Sequence, residues 1–224
     1  MIFTVASIVK FFLGRGDESQ LKGIPSDLRK RVRKLQQDGD LLGAAELLFE
    51  GAHYEAAAAF FSEAKNPVRA AECQELAGNA AQAIALYKKA GNRLRAGELY
   101  AEMGQFEAAA LEMQNGGMKD RAADYFAKGG QHRRAAELYE EIGQLLKAAK
   151  AYQDCGDLAR QHEMLIRSFE REYEMARGNL KLMVAARAMA AQAATYLCAE
   201  GNDLDRGVAL FVKAGYPVEA AKAL

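Results

Sequence analysis

The 224-residue chain has no tryptophan, three prolines, three cysteines and three histidines, and only 8% of its residues are aromatic. A core with no Trp and few rings has to be built mainly from Ala, Leu and Tyr, with close helix–helix approach in place of bulky filler. So few prolines agree with an all-helical chain, and no strands are expected. The cysteines show no pairing pattern; Cys73, Cys155 and Cys198 read as buried reduced thiols, which suits a cytoplasmic protein. His53, His132 and His162 lack the Cys or acidic spacing of a metal site, and no metal or other cofactor is expected. Neither GxGxxG nor GxxxxGK[ST] occurs, and no Ser or Cys sits in a nucleophile-elbow context. These absences predict a protein that is not an enzyme.

An excess of one charge is also missing: 30 Lys and Arg balance 30 Asp and Glu. The balance is uneven along the chain. Residues 1–38 hold eight bases against four acids, and the remainder holds twenty-two against twenty-six. A slightly acidic body is a poor nucleic-acid binder, so no nucleic-acid partner is expected.

What the sequence has in quantity is a repeat. From Asp40 to Gly156 it divides into nine consecutive blocks of thirteen, among them NAAQAIALYKKAG, NRLRAGELYAEMG and QHRRAAELYEEIG. The fifth and sixth places are almost always Ala, the ninth is usually Tyr or Phe, and the thirteenth is usually Gly. Ala, Leu, Glu, Lys and Gln favour helix. At about 100° per residue, places two, five, eight, nine and twelve share an apolar arc with place six at its edge, and places three, four, seven, ten and eleven carry the charge. Thirteen residues turn about 1300°, so a continuous helix would throw successive arcs out of register. Each block is therefore a helix of about ten residues that ends at its glycine and lies antiparallel to the next. Asn79, Asn92 and Asp157 are placed to cap the helices that follow. The expectation is a right-handed α-solenoid, thirteen residues per helix and twenty-six per antiparallel pair.

Phrases such as AAELYEEIG and AIALYKKAG resemble the short, degenerate tetratricopeptide-like α-solenoids of coat and transport-scaffold proteins. The likeness covers about residues 40–157 and the last two dozen residues. It implies a fold, and it implies binding to other proteins without saying which.

Residues 1–38 form a separate N-terminal region of apolar segment, linker and basic helix; the solenoid spans 39–224. The segment MIFTVASIVKFFLG would make about 20 Å of helix, too short to cross a bilayer, and it lacks signal-peptide features. It has two readings. Either it caps the open end of the solenoid, or Ile2, Phe3, Ile8, Val9, Phe12 and Leu13 form an in-plane membrane or docking helix. Ser26 is a candidate N-cap of the next helix, which buries Leu28, Val32 and Leu35. Arg29, Lys30, Arg31, Arg33 and Lys34 crowd its other side, either as a solvated face or as a site for an anionic surface. After Asp157 the rhythm breaks into two longer helices, 158–177 and 179–200, and it returns at Asp203. Four methionines between Met164 and Met189 read as core filling or as an adaptable surface.

The fourth place is basic in alternate blocks, at Arg69, Arg95, Arg121 and Lys147. Such a row is either a partner-binding clamp or a set of local ion pairs with Glu72, Glu98 and Asp124 three residues on. Lys147 is the exception to local pairing, since Lys150 follows it, and is the candidate for an unpaired basic end. The function expected is a non-enzymatic protein-interaction scaffold or adaptor with one or more protein partners. The alternative is a membrane-peripheral structural protein that self-assembles as a homo-oligomer, using residues 1–37 against an anionic membrane.

Overall fold

The computed structural model describes residues 20–176, 179–200 and 203–224. The apolar residues Ile2 to Leu13 lie outside that range. Among the described residues the chain is all-helical, without a strand, and divides into two compact units, 1–103 and 104–224. The first holds α1 (Ser26–Gln37), α2 (Leu41–Glu50), α3 (Tyr54–Glu63), α4 (Pro67–Leu76), α5 (Ala80–Lys89) and α6 (Arg93–Glu102). The second holds α7 (Phe106–Asn115), α8 (Lys119–Lys128), α9 (His132–Glu141), α10 (Leu145–Asp154), α11 (Leu158–Met175), α12 (Val184–Ala199), α13 (Leu204–Lys213) and α14 (Pro217–Ala223). Within each unit successive helices pack on one another in chain order, the layout of an α-solenoid. No helix among the described residues is long and apolar enough to cross a membrane.

The block of thirteen maps directly onto this layout. Each helix from α2 to α10 has ten residues and begins at the second place of its block. Every fifth-place alanine, from Ala44 to Ala148, is fully buried, and small residues there let neighbouring helices approach closely. Place six is not an edge position as the helical projection suggests. Ala45, Ala71, Ala110, Ala123 and Ala136 are fully buried as well, because each helix is covered on two sides. The ninth-place rings Phe61, Tyr87, Phe126, Tyr139 and Tyr152 fill the space between.

All nine thirteenth places have positive φ, and seven are glycine. The other two are Ala52 and Lys65, each at φ 58°, which take the left-handed turn without the freedom of glycine. In eight of the nine turns the N–H of the next block's first residue returns to the ninth-place carbonyl, as Asn92 to Tyr87 at 2.9 Å and Gln144 to Tyr139 at 2.8 Å. That bond closes a Schellman-type cap. Helix α1 ends the same way at Gly39, φ 82°, and packs on α2.

Several local expectations are corrected. Ser26 is the first helical residue and not the cap; Pro25 precedes it in extended conformation and its carbonyl accepts from Arg29 N at 2.9 Å. Asn92 and Asp157 do cap their helices, but the Asn79 amide turns away and donates to Glu55 and Gln74. Helix α11 runs eighteen residues because its block has Phe169, fully buried, at the place where glycine would stop it. The second long helix begins later than expected. Asn179 caps a 3-10 turn, Leu180–Leu182, and the α-helix starts only at Val184. All three cysteines are free, but only Cys73 is buried; Cys155 and Cys198 are half-buried. Of the four methionines, Met164 and Met183 are core, Met189 is half-buried and Met175 is exposed.

Candidate interaction surfaces

The basic row sits at the fourth place of alternate helices, Arg69 and Arg95 in the first unit and Arg121 and Lys147 in the second. Arg69 donates to Glu72 at 2.7 Å in its own helix and to Glu46 at 3.1 Å on α2. Its guanidinium also lies 4.7 Å from the Phe49 ring centroid and 5.2 Å from that of Phe61. Arg95 pairs with Glu98 at 3.2 Å, with Glu102 at 3.1 Å and with both carboxylate oxygens of Glu75 on α4. Arg121 is exposed and also engaged. Lys147 has a partner after all. Its ammonium lies 3.4 Å from Asp124 on α8 and 5.1 Å from the Tyr139 ring centroid, while Lys150 pairs with Asp154 at 3.7 Å. Local pairing three residues on thus holds for Arg69 and Arg95, and the longer-range partners come from two helices back.

Those longer-range partners form a motif that spacing within one helix does not reveal. A carboxylate on one helix accepts a tyrosine hydroxyl from the next helix and a cation from the one after. Glu75 on α4 accepts Tyr87 on α5 at 3.1 Å and Arg95 on α6. Asp124 on α8 accepts Tyr139 on α9 at 2.5 Å and Lys147 on α10. Glu140 on α9 accepts Tyr152 on α10 at 3.0 Å and Arg167 on α11 at 2.5 Å, and Arg160 donates to the Tyr152 oxygen at 3.2 Å. The hydrogen bond from Arg95 holds the Glu75 carboxyl below its usual range. Burial, and then the bond to Glu75, push the Tyr87 hydroxyl up to about 12. Burial raises the Tyr139 and Tyr152 hydroxyls too, and the Arg95 guanidinium is held charged chiefly by its bond to Glu75. The sequence signal for the motif is a ninth-place Tyr with an acid twelve or fifteen residues earlier.

A second row lies at the third place, on the arc where charge is expected. Leu42 on α2, Val68 on α4 and Leu94 on α6 are 49%, 37% and 36% exposed and recur at the 26-residue interval of the helix pair. In the second unit the equivalent place of α10 holds Leu146, which with Leu145, Arg171 and Met175 lines an open cleft of about 620 Å³. Sequence reasoning missed this row, although the signal is plain: an apolar residue at a polar place of alternate blocks.

On the basic helix, the five bases separate. Arg29 is half-buried and its guanidinium donates to the Ile24 carbonyl at 2.8 Å. Lys30, Arg31, Arg33 and Lys34 are exposed, and Arg33 is engaged. Among the described residues no group of His, Cys, Asp and Glu is arranged to hold a metal ion. His162 stacks flat on Tyr196 at 4.1 Å between centroids, and its Nδ1 lies 2.7 Å from the Leu158 carbonyl.

No protein-family model matches the sequence, and no curated protein matches it at a significant level.

Proposed function

We propose that this chain is a non-enzymatic interaction scaffold of the tetratricopeptide-like kind, binding a protein partner through the surface of its helical repeats in a cytoplasmic setting. The observation that carries the proposal is the row Leu42, Val68 and Leu94. Three apolar side chains kept part-exposed at one place of alternate helices offer a partner regularly spaced contacts. The ion pairs of Arg69 and Arg95 beside them supply a polar rim. The basic row then serves first to join helices and second to orient a partner, with Arg121 and Lys147 in the corresponding role in the second unit. Three free thiols suit a reducing compartment.

The test is capture of a stoichiometric partner by the immobilised full chain, identified by mass spectrometry, compared with Leu42→Asp, Val68→Asp and Leu94→Asp combined. The variant should melt as the wild type does and lose the partner. A partner retained by the folded variant would move the site off this row.

A second reading is a membrane-peripheral structural protein that self-assembles. It is favoured by Val212 and Val218, each more than half exposed on α13 and α14. Light scattering over a concentration series separates the two: a concentration-dependent mass without partner supports self-assembly, and a constant monomer mass supports the scaffold.

A further inference from the structure

We propose that the outward face of α1 binds an anionic bilayer surface, a function separate from the partner surface on the repeats and independent of it. The observation is a contrast in how bases are used. On the repeats they are largely neutralised by carboxylates, as for Arg69, Arg95, Lys119, Arg134, Lys147 and Arg167. On α1 they are not. Val32 is fully buried and Leu28 and Leu35 half-buried, which fixes the rotation of the helix on α2. At about 100° per residue this rotation puts Lys30 and Lys34 on the opposite side, with Asp27 toward its edge, and Arg31 on the flank beside the buried stripe. All three are exposed, and among the described residues none is paired with a carboxylate. Exposed Lys22 lies in the turn before the helix, while Asp27 and Asp38 are the only acids between residues 20 and 39. Arg29 is turned inward onto Ile24 and Arg33 is already engaged, so neither carries the proposal.

The chemistry favours a bilayer over an acidic peptide. Capture of a peptide carboxylate with fixed geometry suits the planar guanidinium fork, held in place by neighbours as Arg69 and Arg95 are. Lys30 and Lys34 are point charges on flexible stems, which respond to a diffuse negative field without needing a fixed partner geometry.

The test is flotation of the full chain with vesicles of phosphatidylcholine alone and of phosphatidylcholine with phosphatidylserine, at low and high salt. The wild type should float with the phosphatidylserine vesicles at low salt and not with phosphatidylcholine alone. Each cation removed should weaken partition about fivefold, so Lys30→Gln, Arg31→Gln and Lys34→Gln combined should lower it roughly a hundredfold. The charge-retaining Lys30→Arg with Lys34→Arg should float as the wild type does. Since the three side chains are exposed, an unchanged melting curve shows that the glutamine variant is folded. Wild-type protein that stays at the bottom of the gradient, floats equally with neutral vesicles, or floats undiminished in the folded glutamine variant overturns the proposal. So does salt-sensitive binding to polyglutamate without binding to either vesicle, which assigns the face to an acidic protein.

Discussion

Arg95 on α6 reaches back across α5 to grip Glu75 on α4, and the same carboxylate takes the hydroxyl of Tyr87 from the helix between them. Three consecutive helices are joined at one acid. Packing of alanines alone brings neighbours together, whereas this contact ties helix to second neighbour. Tyr87→Phe removes one hydrogen bond and leaves the arginine in place, so it should cost about 1 kcal/mol. Glu75→Ala strands a largely buried hydroxyl and leaves Arg95 to Glu98 and Glu102, and should cost about 2 kcal/mol. Urea unfolding of the three proteins measures this; a Glu75→Ala midpoint no lower than that of Tyr87→Phe would mean that the carboxylate joins nothing.

The same carboxylate sets a pH dependence. Its folded pKa lies below the ordinary value, chiefly because Arg95 hydrogen-bonds it. A depressed carboxyl contributes stability that is present above the unfolded pKa of about 4.3 and is lost as pH falls through the folded pKa. The Tyr87 hydroxyl works in the other direction. Raised to about 12, it favours folding up to the unfolded pKa of about 10, and that contribution declines between the two. Stability measured from neutral to acid pH should therefore fall less steeply for Glu75→Gln than for the wild type. Parallel acid limbs would show that Glu75 titrates alike in folded and unfolded chains.

Helix boundaries were legible because the repeat writes them twice, in Ala–Ala at places five and six and in glycine at thirteen. Even the eighteen residues of α11 follow from what is missing, since Phe169 stands where a glycine would end the helix. The carboxylate contacts were not legible. A helical wheel places Glu72 near Arg69 and Glu98 near Arg95, but Glu46 and Glu75 lie 23 and 20 residues before their bases. Only the stacking of alternate helices brings them together. The partner of Lys147 was hidden for the same reason, its acid being on α8. The start of α12 was hidden because residues 179–183 carry no glycine or proline to mark the 3-10 turn, which depends on the Asn179 side chain and the buried Met183.

Ala52 and Lys65 hold a left-handed turn that seven sister positions give to glycine. An L-residue there costs roughly 1–2 kcal/mol of backbone strain, while glycine costs up to about 1 kcal/mol of extra unfolded-chain entropy. Ala52→Gly and Lys65→Gly should each stabilise the protein by about 0.5–1 kcal/mol. The converse, Gly104→Val, should lose about 1–2 kcal/mol with nothing within 4 Å for the new β-carbon to strike, so its effect is backbone strain alone. Thermal melts of the three variants decide this, and destabilisation by both glycine substitutions would contradict it.

In the block from Asp203 the fifth place holds Gly207 where the nine blocks from Asp40 to Gly156 hold alanine, and its neighbour explains why. In the block from Asp203, α13 approaches α12 so closely that a β-carbon at Gly207 would run into the Cys198 sulfur and lie 3.0 Å from the Ala194 carbonyl and 3.2 Å from the Cys198 nitrogen. At the nine equivalent places from Ala44 to Ala148 the neighbouring helix leaves room for a methyl group, and alanine is found. Gly207→Ala should therefore destabilise the protein by about 1–3 kcal/mol as α12 and α13 are forced apart, against the gain that alanine normally brings to a helix interior. Cys198→Ala removes the sulfur but not the backbone contacts, so the double variant should recover part of the loss and not all of it. Burial raises the pKa of the Cys198 thiol, so it should react slowly with a thiol reagent in the wild type and faster once Gly207→Ala opens the contact. Urea midpoints for the two single variants and the double form a cycle; additive losses would show that Gly207 and Cys198 do not constrain each other.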